Sequence, residues 1–285
     1  MKEATVEKAT LYFPDKPIKQ GYSSLFKEMF REIINSWWLT RQLFRRNFSA
    51  LYRQSLLGIG WALIIPLVTV GTFIFLNASG IFNIGDVTIP YPLFAVAGMA
   101  LWSLFSMGLT LSANSLVNVS AMITKINFAR EPLVISAVAQ GIVPALIQIG
   151  ILFVLFACYQ TAPPLTILLV PFAAIPLLVL TLGLGFIVSL INTVLRDVGN
   201  LTSLAVLFLL FLTPVLYTKP VSGIAAVASQ YNPWYYLVSV PRDLLLFGST
   251  AEWPGYLYST LFSFAVFFIC WMAFHLTESR IAERI

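Results

Sequence analysis

The sequence predicts an all-α polytopic membrane protein with six transmembrane helices, an N-terminal amphipathic interfacial helix, and a re-entrant helix pair between spans 5 and 6. Three observations carry this reading. Of 285 residues, 59% are hydrophobic and 10% charged, against roughly 45–50% and about 25% in soluble domains. Six apolar stretches follow one another at spanning length, about 20 helical residues being enough to cross a hydrocarbon core of roughly 30 Å. With six spans, fifteen of the 17 Lys and Arg fall on one side, the bias that sets orientation in the membrane. The net charge of +5 is therefore read by its placement and points to no nucleic acid.

Residues 1–55 form a cytoplasmic N-terminal segment. Ten basic residues lie in it: Lys2, Lys8, Lys16, Lys19, Lys27, Arg31, Arg41, Arg45, Arg46 and Arg53. Its first twenty residues are polar and lack the apolar core of a signal peptide, so no cleavage is expected. After a loop at 14–21, Tyr22, Leu25, Phe26, Met29, Phe30, Ile33, Ile34 and Trp37 recur at three- and four-residue steps, the period of an amphipathic helix. Lys27, Glu28, Arg31, Glu32 and Asn35 take its other face. Phe26, Phe30, Trp37 and Trp38 suit a helix lying flat at the headgroup level of the inner leaflet. The same pattern also serves a helix packed on another protein domain. Residues 41–55 then approach the membrane with arginines placed to meet lipid phosphates.

The spans read as about 56–78, 91–118, 133–159, 165–191, 199–217 and 254–276, making 56–276 the transmembrane domain and 277–285 a cytoplasmic tail. An even count puts both termini inside. Lys125 and Arg130, Arg196, and Arg280 and Arg284 then join the N-terminal basic residues on the cytoplasmic side, leaving Lys219 and Arg242 outside. The outer segment 218–253 contains two apolar pieces, VSGIAAVASQ and PWYYLVSVPRDLLLF, each too short to span. Pro220, Gly223, Pro233 and Pro241 interrupt it, which favours a broken re-entrant pair over a straight helix.

The chain offers little for catalysis. It has one His and twelve carboxylates, none of them inside a span as drawn. His275 reads as a lone interfacial side chain. No HExxH, CxxC or paired-Cys pattern indicates a metal, and no GxxxxGK[ST] loop indicates ATP hydrolysis. Gly58–Ile59–Gly60 and Gly183–Leu184–Gly185 read as sites of close helix packing. Cys158 and Cys270 read as small buried side chains without a disulfide. Asn114, Asn118, Gln140, Gln148 and Asn192 either hydrogen-bond between helices or line a polar conduit. The adjacent pairs Arg130–Glu131, Arg196–Asp197 and Arg242–Asp243 are expected to bond to other segments, as structural ion pairs or as gating or partner contacts, because neighbours in sequence do not face each other on a helix.

At this point the residues resemble a family. The run LYRQSLLGIGWALIIPL (51–67) resembles the entry to the first span in membrane subunits of type-2 ABC exporters for polysaccharides and polyol phosphates; Ser55, Leu57, Gly58, Trp61 and Pro66 carry the likeness. ITKINFAREPLVISA (123–137) is similar to that family's first cytoplasmic loop, with Ala129 where a proline is common. NTVLRDVGNL (192–201) and YNPWYYLVSVPRDLLLFG (231–248) look like its next cytoplasmic loop and its outer re-entrant helices. The resemblance implies a permease that works as a homodimer with two copies of a soluble ATPase, moving a lipid-linked glycan of the O-antigen, capsule or teichoic-acid kind across the inner membrane. It implies no cofactor in this chain, since ATP and Mg would sit on the partner. It implies that Lys125, Asn127, Phe128, Arg130 and Glu131 form the ATPase-coupling loop.

Aromatic faces stack on sugar rings, so Trp61, Trp102, Tyr217, Trp234, Tyr235 and Tyr236, with Arg242, are candidates for the substrate path. Singly, such aromatics also serve as a lipid belt. Two other readings stay open. One is a type-2 ABC exporter of a small hydrophobic or drug-like cargo. The other is an intramembrane transferase on lipid-linked sugars, which would need clustered acidic or His side chains at one membrane face.

Overall fold

The computed structural model describes residues 22–53, 58–80, 85, 87–119 and 129–281. Among these the chain is helical, with no strand. In order, the helices are α1 Tyr22–Asn35, α2 Trp37–Arg53, α3 Trp61–Ala78, α4 Tyr91–Ala113, α5 Glu131–Ala139, α6 Ile142–Cys158, α7 Val170–Ala173, α8 Ile175–Val194, α9 Val198–Leu212, α10 Gly223–Tyr231, α11 Pro233–Leu246 and α12 Trp253–Ile281.

Four stretches are long and apolar enough to cross a membrane: Tyr91–Ala113, Glu131–Cys158, Leu165–Val194 and Trp253–Thr277. Two apolar helices are shorter, Leu63–Leu76 within α3 and Val198–Leu212. At 1.5 Å per residue the 15 residues of α9 reach about 22 Å, below the roughly 30 Å of a hydrocarbon core. The fifth apolar stretch read from sequence runs to 217, but its helix ends at Leu212, where the chain leaves helical geometry before Pro214. The second ends at Ala113 rather than 118. The third starts at Glu131 and bends at Gln140–Gly141, and the fourth is broken at Ala174 between Pro171 and Pro176. Pro214, Pro144 and Pro176 account for the stop after Leu212, the bend at Gln140–Gly141 and the break at Ala174, since proline lacks the N–H and crowds the preceding turn.

The most enclosed helix is α4, whose run Leu93–Phe105 is buried throughout. It packs against α6, α8, α5, α11, α9 and α3. The closest pairing is α8 with α12. There a side chain on Gly183 would come within 2.7 Å of the Phe267 Cα, so the two backbones touch where only glycine fits, the close approach that the glycine pair implied.

The core has two parts. The larger is built on α4, α8 and α11, with Phe94, Trp102, Phe105, Leu177, Tyr235 and Leu237. The smaller gathers Met29, Leu43, Leu116, Val134, Phe186, Trp271 and Phe274, where α1 and α2 meet α5, α8 and α12. Thus α1 buries Met29 and sets Phe30 edge-on against Trp271 at 5.0 Å. Ile34, Trp37 and Trp38 stay exposed at 71, 61 and 69%. One stripe of the amphipathic helix is covered by the chain itself and another is left for lipid or a partner. The side chain of Phe26 lies outside the described residues.

Candidate functional site

The sequence candidates fall into three places. The first is the turn into α5. Lys125, Asn127 and Phe128 lie outside the described residues. Arg130 and Glu131 are described, and both are buried, at 7 and 0% exposure. Glu131 begins α5 and its Oε1 lies 3.0 Å from His275 Nδ1 on α12. Glu32 Oε2 on α1 lies 3.7 Å from the same nitrogen. Two expectations are corrected here. A carboxylate does sit within an apolar spanning stretch, because the helix starts two residues earlier than hydropathy placed it. His275 is not a lone interfacial group, because its partners come from segments remote in sequence.

The second place is the segment 218–253. Asn232 closes α10 and caps α11: its Oδ1 accepts from Trp234 N at 3.0 Å and its Nδ2 donates to Thr213 Oγ1 at 2.9 Å. This cap explains why the PWYY run starts a helix, since Pro233 needs no hydrogen bond at the first position. Tyr235 and Tyr236 pack edge to face at 4.9 Å and are buried. Tyr235 donates to Glu252 Oε1 at 3.1 Å and Tyr236 donates to Gln230 O at 2.9 Å. Lys219 pairs with Glu252 at 2.9 Å and stands 5.0 Å from the centre of the Tyr235 ring.

Arg242 is a buried hub within this segment. It donates to Pro214 O and Val215 O, both at 3.2 Å, and stacks 4.0 Å over Phe94. Its Nε is 3.6 Å from Asp243 Oδ1, so this adjacent pair does meet, contrary to the expectation from helical spacing. The long guanidinium stem turns back on the helix end, where Asp243 also accepts from Thr250.

The aromatic candidates do not form one surface. Trp102 is buried and joins Trp234 through Phe105, with ring centres 5.1 and 5.8 Å apart. Trp61 is exposed on α3. Tyr217 lines an open cavity of about 490 Å³ with Phe211, Thr218, Lys219 and Pro220. Its hydroxyl donates to Phe211 O at 2.7 Å.

The third place is the set of uncharged polar side chains. Asn192 Nδ2 donates to Ala113 O at 2.9 Å and to Asn114 Oδ1 at 3.2 Å, and its Oδ1 accepts from Gly199 N at 2.7 Å. Gln140 donates to Phe44 O at 3.0 Å. Both are links between segments. Asn118 and Gln140 also border a cavity of about 250 Å³ with Arg46, Asn47 and Ser115. Both cysteines are free thiols. Cys158 is exposed, a correction to its reading as buried, because it ends α6 at the rim of the bundle.

Sequence reasoning missed Glu32 and Glu252. Each is an ordinary acidic residue in a polar stretch, and only the fold brings the first to His275 and the second to Lys219 and Tyr235.

Comparison with known proteins gives one family and three relatives of one kind. Residues 39–246 match the ABC-2 type transporter family. An O-antigen export system permease protein RfbA of Klebsiella pneumoniae is 27% identical over 219 residues, covering 75% of this chain and 83% of that protein. One of Myxococcus xanthus is 28% identical over 191 residues, covering 66% of this chain and 71% of its own. A further Klebsiella pneumoniae protein of that name is 26% identical over 221 residues, or 76% and 84%. The matched region runs from α2 to the end of α11 and so takes in the turn into α5, the Asn192 links and the Arg242 hub. With several apolar helices of spanning length and a family match over most of its residues, the chain is multi-pass and belongs to the ABC-2 type transporter family, as a membrane subunit whose ATPase is a separate protein.

Proposed function

We propose that this chain is the permease of an ATP-driven exporter that moves a lipid-linked polysaccharide, O-antigen-like, across the inner membrane. The observation that carries this is the agreement of three relatives named as O-antigen export permeases, each aligned over two thirds or more of its own length. The active form is a homodimer with two ATPase subunits. Six passes place both termini in the cytoplasm: the shorter helices α3 and α9 complete the crossing with their flanking residues, while α10 and α11 enter the outer leaflet and return. In support, α11 is buried over most of its 14 residues, yet at about 21 Å it falls short of a span.

Residues 123–132 act as the coupling element, with Lys125, Asn127, Phe128, Arg130 and Glu131 as its contacts. Its last part holds the buried Arg130–Glu131 corner, so a push on it reaches α5, α1 and α12 together, the physical continuity that coupling needs. The outer aromatics and Arg242 border the glycan path, and α1 braces the assembly at the inner leaflet together with Trp37 and Trp38 at the start of α2.

The test is to purify the full chain from its host in mild detergent and identify what accompanies it at equal stoichiometry. A Walker-motif ATPase at one-to-one is expected, together with loss of surface glycan when the chain is deleted. Repeated absence of an ATPase, or unaltered surface glycan, would refute the proposal. Phe128→Ala is expected to leave ATP hydrolysis running while export stops; undiminished export would remove the coupling role of the loop.

A further inference from the structure

Neither the aromatic path nor the coupling residues give a role to the cavity of about 250 Å³ between α2, α5 and the end of α4 with the residues after it. Its polar lining is a set of donors with nothing to donate to. The Arg46 guanidinium rests through Nε and one terminal nitrogen on Asn47 Oδ1, both at 3.3 Å. That acceptor is neutral, so it fixes the cation in place without cancelling its charge. Arg46 makes no ion pair among the described residues, and no carboxylate lines the cavity. The side-chain amide nitrogens of Asn47 and Asn118 have no acceptor among the described residues. On the α5 side, Gln140 donates through Nε2 to Phe44 O at 3.0 Å. Its Oε1 is buried with no hydrogen-bond partner, although such atoms are satisfied in the great majority of cases. Ala50, Leu111 and Leu133 make the remaining wall apolar.

We propose that this cavity binds one anionic phospholipid of the phosphatidylglycerol kind, with its phosphate on Arg46, Asn47 and Asn118 and a headgroup hydroxyl donating to Gln140 Oε1. A fixed guanidinium flanked by amide donors is the arrangement that recognises a phosphate oxygen. The apolar wall calls for a hydrocarbon part on the same molecule, which inorganic phosphate lacks, and the unmet Gln140 oxygen calls for a donor, which a choline headgroup lacks. The donors surround a cavity rather than an exposed helix face, and this sets the site apart from the general pull of a basic segment towards an anionic surface. A lipid held there fastens α2 to α4 and α5, beside the bond from Gln140 to Phe44. In the six-pass reading the site lies at the inner leaflet; only that placement rests on the proposed function.

The experiment uses the full chain, delipidated in mild detergent, and counts bound dioleoylphosphatidylglycerol by native mass spectrometry. Dioleoylphosphatidylcholine, dioleoylglycerol and inorganic phosphate are the comparison probes. One tightly held phosphatidylglycerol per chain is expected, with all three comparison probes weaker. Arg46→Gln should weaken it by at least ~10-fold, the loss of a hydrogen bond to a charged group. Ala50→Leu leaves every charge in place and fills the cavity from an exposed position on α2; it should weaken binding as well. Equal binding of phosphatidylcholine or dioleoylglycerol overturns the headgroup assignment, and equal binding of inorganic phosphate overturns the lipid. Affinity unchanged in either variant puts the lipid elsewhere and overturns the site. Neither ATPase nor glycan enters the measurement, so its failure is distinguishable from failure of the export reading.

Discussion

Replacing Asn192 offers the sharpest test of how the bundle is held together. This amide is 1% exposed and joins three helices: it lies on α8, reaches Ala113 at the end of α4, and accepts from Gly199 in the first turn of α9. Asn192→Leu keeps the volume nearly constant and removes three hydrogen bonds. At about 0.5–1.5 kcal/mol each, with a buried N–H and a buried carbonyl left unmet, the loss comes to roughly 3 kcal/mol. For a chain of this size that corresponds to a fall in Tm of about 6–12 °C. Asn192→Asp keeps the bond from Gly199 but sets a carboxylate against the Ala113 carbonyl and the Asn114 oxygen, so it should fall at least as far. The assay is thermal unfolding in detergent followed by tryptophan fluorescence, at one fixed scan rate because such unfolding is often irreversible. A leucine variant that melts with the wild type would refute the assignment of Asn192 as a structural tie and return it to a conduit role.

Three further outcomes are expected. Gly183→Ala forces α8 from the Phe267 backbone on α12 and should cost about 3 kcal/mol, the upper end of overpacking; an unchanged Tm would mean that the two helices are not in register as described. Gly255→Ala drives a methyl into the Tyr236 ring, so export should drop with a Tm loss set by about 1–3 kcal/mol, and normal export would detach Tyr236 from the glycan path. Glu252→Gln breaks an ion pair whose members are 33 and 29% exposed. Such pairs contribute about 0–1 kcal/mol, so the Tm should stay within about 4 °C of wild type, and a larger fall would show that Glu252 anchors Tyr235 more firmly than its exposure implies.

Hydropathy made the apolar helices, the amphipathic α1 and the break between the two short helices of 218–253 legible, because each is a local pattern of side chains along the chain. Helix ends were less so. Val215 and Leu216 after Leu212, and Leu116 and Val117 after Ala113, keep the hydropathy high past the helix ends, and what stops the helices is geometry near Pro214 and the Asn192 links. The aromatic stretch at 234–236 was visible as a cluster, but composition alone does not show that the Tyr235 and Tyr236 hydroxyls are already bonded within the chain. His275 was misread for the same reason that Glu32 was overlooked: a site assembled from three distant segments leaves no spacing to find.

The non-helical stretch after α9 receives fastenings from three directions. Arg242 on α11 grips the Pro214 and Val215 carbonyls, Tyr91 at the start of α4 donates to Leu216 O at 2.9 Å, and Asn232 reaches Thr213. This end of the bundle is thereby one rivetted plate. To thread a stiff polymer through the interior of a single copy would mean drawing these rivets, whereas parting two copies of the proposed homodimer would draw none. In that proposed assembly the doorway would be a seam between copies, with rigid jambs.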